Sequence, residues 1–590
     1  MWDAVPPRAG CPSPLSMGSL LLGDLDDYIA PAQDCVVALT KGGGGGRVTL
    51  VAVDDDAATS SGGAPGPSPP PPISATRPLT RPLPPVSPGR DPRGQQLVKK
   101  KRGEAPPPSL VAPTADEAIK ISLSDCLVCS GCVTSAEAVL LEAHGVADFV
   151  ARAGELAAAN SRLAVTVCPQ AAASLGARLG VSPQAAFAKL GSCVARRHAP
   201  SGSTPILLSS DEGRFHALRE AADEFVGVWR DRLASAGEVE RCAGEEVCDQ
   251  DPGSSARLPV FASACPGWVC YCEKVLHDAL PHLSRVRSPQ QTVGAMLKAG
   301  RPLHAGGAGR GADSPEEGGA VFHVTVMPCY EKKLESLRPD FAPGGVRDVD
   351  ASLTTSEALE VVGRDAGGGA LESEELGSLG ARALLEAESD GALEAQFLAA
   401  SSRCASLFPP GSSPSSSGGY ADYVYARVAA DVYGMSGPAL VPAWRPARNS
   451  PDLVQATLEA DAPDGSKQDV RFARVYGFKN IQNVVRRLKT GRLPYDYVEI
   501  MACPSGCVNG GGQLPPETTQ GRALDSKTRR DHTARVEALY REAVHGGGSA
   551  GQGWGSWPPP PPAPDALLRT GFHPIPKLEA TGLTSAKLAW

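Results

Sequence analysis

The chain reads as an α/β protein built on parallel strands, and three observations predict that class. First, a β-type apolar run closed by Cys or Pro and followed by helical sequence recurs at Arg162–Pro169, Leu258–Trp268, Val321–Cys329 and Tyr497–Cys507. Runs of this kind that give way to helices suggest parallel strands with crossover connections. Second, cysteines stand at the ends of these runs, and ligands in α/β sheets gather beyond the carboxyl ends of strands, so the thiols are expected in one crevice. Third, the intervening stretches carry helix signals. Ser288-Pro289-Gln290-Gln291 supplies an N-cap, a proline at the first helical position and a Gln at the capping-box position, with Val293, Met296 and Leu297 as a buried face. Tyr476 to Val485 reads as a turn feeding another helix.

Taken in order, the chain opens with Met1–Gly23, where a short apolar stretch at Leu20–Leu22 meets Asp24, Asp26 and Asp27 at once. That is neither a signal peptide nor a basic transit peptide. From Lys41 to about Pro113 a glycine run and a proline-rich tract read as a flexible or polyproline linker. Three cysteines then follow with two residues between each, Cys126, Cys129 and Cys132, ahead of the first strand. Shorter low-complexity stretches near Gly306–Gly319, Ala366–Gly391, Pro409–Gly419 and Gly546–Pro564 read as surface insertions, because loop growth costs little stability and a motif resumes after each.

Composition narrows the function. Of 590 residues, 65 are Gly and 55 are Pro, concentrated in runs that cannot bury enough apolar surface to offset ordering entropy. The formal charge of -8 announces neither a nucleic-acid-binding nor a membrane-binding surface. No apolar run approaches the ~18 residues of a membrane span. With no secretory signal, the 16 cysteines read as reduced thiols and metal ligands in the cytosol.

Cys126-Leu-Val-Cys129-Ser-Gly-Cys132 has the close spacing with which ferredoxin-type loops wrap a [4Fe-4S] cube. Zinc sites favour separated knuckles or His partners, and no histidine lies near. Spacing leaves the fourth ligand open between Cys35 and Cys168. Cys503 and Cys507 stand four residues apart on a glycine-rich turn, for which a redox dithiol, plain packing and a phosphate-cradling loop are the rivals. The P-loop Lys-Ser/Thr ending is missing. His277, His282 and His323 lack ligand spacing and read as packing or surface residues. Lys99–Arg102 is a candidate nuclear signal in a linker where charge runs are usually only solvated.

Together the segments around Cys265, Met327-Pro-Cys329 and Glu499 to Gln513 resemble the three signatures of iron-only hydrogenases. Leu25–Cys35, Lys120–Cys126, Tyr271–Lys274, Ser288–Gln291 and Tyr476–Asn483 narrow the resemblance to the eukaryotic hydrogenase-like cytosolic iron-sulfur assembly factors, also called nuclear prelamin A recognition factor-like proteins. The resemblance implies a two-lobed hydrogenase-like body with parallel sheets, a small N-terminal cluster lobe and long disordered insertions. It implies two [4Fe-4S] clusters, one on Cys35, Cys126, Cys129 and Cys132 and a second on Cys265, Cys329, Cys503 and Cys507. Cys168 then becomes a strand-end core thiol, while Cys270 and Cys272 are additional thiols without a role. The implied organisation is an N-terminal segment 1–40, a disordered linker 41–113, a cluster lobe with the first strand-helix unit 114–200, the body 201–545, a linker 546–564 and a tail 565–590.

The implied role bridges early cluster assembly to the late targeting complex that matures cytosolic and nuclear apoproteins. Assembly scaffold proteins and the targeting complex are the expected partners, and Trp590 is the expected docking tag. A hydrogenase carries a proton-relay cysteine where this chain has Ala264, and an alanine transfers no proton. The expectation is therefore a non-enzyme, placed in the cytoplasm with the nucleus as a second candidate address. The rival readings are an iron-only hydrogenase or related redox enzyme, and a nuclear prelamin-interaction protein.

Overall fold

The computed structural model describes residues 141, 144–156, 161–238, 257–303, 320–368, 371–447, 450–461, 467–516, 526–545 and 565–575. Nine strands among these residues form two sheets: β1 (Arg162–Val167), β2 (Ile206–Ser209), β3 (Val260–Ala262), β4 (Val321–Met327), β5 (Ala351–Thr354), β6 (Arg445–Ala447), β7 (Ser450–Leu458), β8 (Val470–Tyr476) and β9 (Tyr497–Met501). All four expected strands form. They divide between the sheets rather than sharing one.

The first sheet is parallel throughout, in the order β2-β1-β4-β5, with Ala164 paired to Ile206 on one side and His323 on the other. Leu163 to Val167 are all buried, because helices cover both faces of a parallel sheet and leave no solvent side. β1 lies before residue 200 and pairs with strands beyond it, so that strand-helix unit is continuous with the body. The second sheet runs β3-β9-β8-β7-β6, parallel from β3 to β8 and antiparallel at its β7-β6 edge.

A 28-residue helix, Asp211–Glu238, ties the two sheets together. It starts beside the end of β2, while Phe225 and Trp229 sit in the second core, Phe225 5.0 Å from the Tyr497 ring. The helix Pro289–Lys298 forms as expected, with Ser288 Oγ accepting the Gln291 N–H at 3.5 Å and Val293 and Met296 buried. Its capping box is only half made, since both side-chain polar atoms of Gln291 are buried without a partner. Phe478–Lys489 follows the Tyr476-Gly477 turn as a helix.

Two stretches expected as surface insertions are built into the body. Within Ala366–Gly391, Ser373–Glu386 is a helix that buries Leu376, Gly380 and Leu384 against the helix Thr355–Gly363. The glycines are the reason. A Cβ on Gly380 would lie 2.0 Å from Leu359 O, and one on Gly363 would lie 2.0 Å from Leu376 O, so the two backbones touch where side chains would hold them apart. Within Pro409–Gly419, Ser415, Ser416 and Ser417 are each 3% exposed. Here too the composition that suggests a linker serves close packing.

No helix among the described residues is long and apolar enough to cross a membrane. Cys35, Cys126, Cys129, Cys132, Lys99–Arg102 and Trp590 lie outside the described residues.

Candidate metal centre

Three of the four expected ligands of the second site follow the end of a strand. Cys265 comes just after β3 and caps the helix Pro266–Lys274, Cys329 comes after β4, and Cys503 comes after β9. β3 and β9 are neighbours in the second sheet whereas β4 belongs to the first, so the thiols are drawn from both sheets. Ser263 fixes the first turn, donating to Ile500 O at 2.6 Å and accepting the Cys265 N–H at 3.0 Å. The Ala502 N–H reaches Cys265 Sγ at 3.5 Å, which joins the first turn to the third.

The Cys503–Cys507 loop needs left-handed backbone at Ser505 (φ 59°) and Gly506 (φ 81°). The glycines after it are used for close approach and not as a phosphate cradle. Gly512 N donates to Pro328 O at 2.9 Å, and a Cβ on Gly510 would lie 2.3 Å from that same oxygen. The glycine run therefore presses the loop onto the Pro328-Cys329 turn. Gln513 locks it, accepting from Thr355 Oγ1 at 2.7 Å and donating to Gln170 O at 3.0 Å.

Cys265, Cys329 and Cys503 are buried and Cys507 is half-buried. Burial pushes all four thiols upward, Cys507 to about 12. Cys329 is raised next by the Glu331 carboxylate and then by Cys503, Cys265 and Cys507, so the four groups feel one another's charge. Lys332 acts the other way on Cys265 and Cys507, favouring their thiolates. Four bare thiolates are unfavourable in such a place; four thiolates neutralised by iron are not. The donor set is also soft and free of histidine, which suits iron-sulfur chemistry.

Among the described residues, no three His, Cys, Asp or Glu side chains gather as they would round a single metal ion. A lone zinc draws its sulfurs to ~2.3 Å from one centre. A four-iron cube takes one thiolate at each of four separate corners and asks for a wider quartet.

The other candidates take structural places. Cys168 ends β1 and caps the helix Pro169–Leu179, its sulfur accepting the Ala171 N–H at 3.3 Å. Cys270 and Cys272 are buried on the helix after Cys265. His323 is wholly buried; its Nδ1 faces the Asp348 carbonyl at 3.0 Å and so carries the proton, which leaves Nε2 to accept from Thr166 Oγ1 at 2.8 Å. His282 lies 3.0 Å from Pro259 O, and His277 is exposed. A cavity of about 20 Å³ borders Cys265 and is lined by Ala264, Arg287, Arg338 and Thr570 among others. A single water needs ~10–15 Å³.

Sequence reasoning missed two residues here. Glu499, fully buried in β9, accepts from Ser415 Oγ at 2.7 Å, Tyr476 Oη at 2.6 Å and Ala421 N at 2.9 Å. Ser417 Oγ accepts the Cys507 N–H at 3.0 Å. The available signal was a carboxylate inside a strand-like run and an unbroken Ser-Gly tract just before a helix.

Two parallel-containing sheets with cysteines at their strand ends are the architecture of a hydrogenase-like body, and residues 242–511 match the family model described as iron only hydrogenase large subunit, C-terminal domain. Apo [FeFe]-hydrogenase HydA1 from Chlamydomonas reinhardtii is similar at 20% identity with a TM-score of 0.48, over 72% of this chain and 98% of that one. Full-length relatives narrow the class. The chain is 31% identical to Protein NAR1 of Arabidopsis thaliana, covering 95% of this chain and 97% of that protein. It is 33% identical to cytosolic iron-sulfur assembly component 3 of Rattus norvegicus, covering 96% and 98%. The chain belongs to this family of cytosolic iron-sulfur assembly components.

Proposed function

We propose that the chain is a cytoplasmic, non-enzymatic component of cytosolic iron-sulfur protein assembly. It carries two [4Fe-4S] clusters, the first on Cys35, Cys126, Cys129 and Cys132 and the second on Cys265, Cys329, Cys503 and Cys507. It bridges assembly scaffold proteins to the late targeting complex, with Trp590 as its docking tag. What supports the reading is that four thiols from three strand ends and two sheets feel one another's charge, with no histidine among them.

Bound there, a cluster supplies a one-electron redox centre that is also a store of iron and sulfide. The chain's own part is to hold thiolates at fixed corners, limit water on three of them and supply Lys332 as a nearby positive charge. Ala264 lines the cavity beside Cys265 with a methyl group that moves no proton, and that cavity has room for about one water. Both features favour a cluster carrier over a hydrogen-evolving enzyme.

Anaerobic reconstitution tests the reading. The full chain should hold about eight iron and eight sulfide, falling to about four of each when Cys503→Ala removes the second quartet. Stoichiometric zinc without sulfide would overturn it. Deleting Trp590 should lower capture by the targeting complex more than tenfold, the effect of losing an aromatic anchor worth ~2 kcal/mol, while both clusters stay. Equal capture would remove Trp590 from the interface.

A further inference from the structure

The serine turn before the helix Tyr420–Asp431 reaches the quartet directly. Its three hydroxyl-bearing residues are buried alike and placed differently. Ser415 gives its hydroxyl proton to Glu499, and Ser416 offers its carbonyl oxygen to Gln170 Nε2 at 2.9 Å. Ser417 faces the Cys503–Cys507 loop. Its Oγ lies 3.0 Å from Cys507 N, and a Cβ on Gly506 would fall 2.3 Å from that oxygen. Glycine at 506 is thus required twice, for its positive φ and for the room it leaves the hydroxyl.

A hydroxyl has one proton to give and two lone pairs. Here the oxygen accepts the Cys507 N–H, so the proton is left for another acceptor. That contact sets the hydroxyl against Cys507, whose sulfur is a candidate acceptor and whose thiolate Ser417 favours. Cys507 is also the half-buried member of the quartet, the corner where water and chelators arrive first. A hydrogen bond to a ligating sulfur draws off negative charge, and it favours whichever cluster state carries more of that charge. The reduced state carries more.

We infer that Ser417 is a positioning residue whose hydroxyl donates to Cys507 Sγ, raising the reduction potential of the quartet's cluster and slowing iron loss at its most accessible corner. This rests on the quartet reading above. Nothing in the cysteine pattern requires it, since a hydroxyl at 417 is no ligand.

The test uses the reconstituted full chain, with the quartet's signal identified as the one lost in Cys503→Ala. Redox titration followed by electron paramagnetic resonance then gives its potential, and chelator challenge gives its rate of iron release. Ser417→Ala should keep the iron and sulfide content. It should change the reduced-to-oxidised ratio at fixed potential by up to about tenfold toward the oxidised form, about 59 mV for one electron, and it should release iron several-fold faster.

Ser417→Thr, which keeps the hydroxyl, should restore both values, and Ser416→Ala, in the same turn, should alter neither. An unmoved potential in Ser417→Ala overturns the inference, as does an equal shift in Ser416→Ala. If Ser417→Ala fails to load iron, Ser417→Thr must restore loading, and failure to do so also overturns it. Should Cys503→Ala leave every cluster signal in place, the quartet reading falls and the role of Ser417 falls with it. A quartet signal indifferent to Ser417 refutes only the second.

Discussion

Replacing Gly380 by alanine separates a packed helix pair from a glycine-rich insertion, because the two readings predict opposite signs. In an exposed or loosely held helix, alanine in place of glycine gains about 1 kcal/mol. At Gly380 the new Cβ would stand 2.0 Å from Leu359 O, a backbone atom of the facing helix that moves only if the helix does. Overpacking of this kind costs about 1–3 kcal/mol, and a backbone obstacle belongs at the upper end. The expected net loss is about 2 kcal/mol. Gly377 is the internal control, since it lies in the same helix with no atom within 4 Å of an added Cβ. Gly377→Ala should therefore stabilise, and the two variants should differ by about 2–3 kcal/mol. Hydrogen exchange across residues 355–386 reads local opening directly. Gly363→Ala should repeat the loss, and the double variant should cost less than the sum, since both clashes part the same pair. If Gly380→Ala protects the helix as well as Gly377→Ala does, the glycine contact is refuted.

Three further outcomes are expected. Burial lowers the His323 imidazole to about 4 against an unfolded value near 6.5, so its contribution is full above pH 6.5 and lost as pH falls toward 4. That is about 3 kcal/mol across the window, and His323→Gln should flatten this part of the stability-pH curve; equal slopes would exclude the assignment. Glu499→Gln should lower the unfolding free energy by about 1–3 kcal/mol, seen as a lower denaturant midpoint, because an amide cannot accept all the hydrogen bonds that the carboxylate takes from Ser415, Tyr476 and Ala421; an unchanged midpoint would show that the network is dispensable. Ala264→Cys should evolve no hydrogen with a strong reductant, and measurable evolution would contradict the non-enzymatic reading.

What the sequence made legible is local. An apolar run, a Cys or Pro and a following helix are neighbours in the chain, so β1, β3, β4 and β9 and the four thiols at 265, 329, 503 and 507 are readable from residue order. Assignment of those strands to two sheets is not, because pairing partners such as Val260 and Tyr497 are far apart and nothing local distinguishes one parallel neighbour from another. The glycine and serine tracts fail for a different reason. A residue chosen for the absence of a side chain looks the same in a linker and at a backbone crossing, and only the partner, Leu359 for Gly380 or Cys507 for Ser417, tells them apart. Glu499 was hidden by its company in β9, since a carboxylate is tolerated there only by donors from Ser415, Ala421 and Tyr476.

The crevice draws its thiols from points along the chain separated by 64 and 174 residues, from Cys265 to Cys329 and on to Cys503. Closing loops of those lengths costs about 4 and 5 kcal/mol in chain entropy. In a zinc finger that cost falls on the metal, which folds the domain as it binds. Here the two sheets and the long helix that ties them together carry that cost, so the spacing of the thiols is set by strand pairing across the whole fold and not by any one local loop.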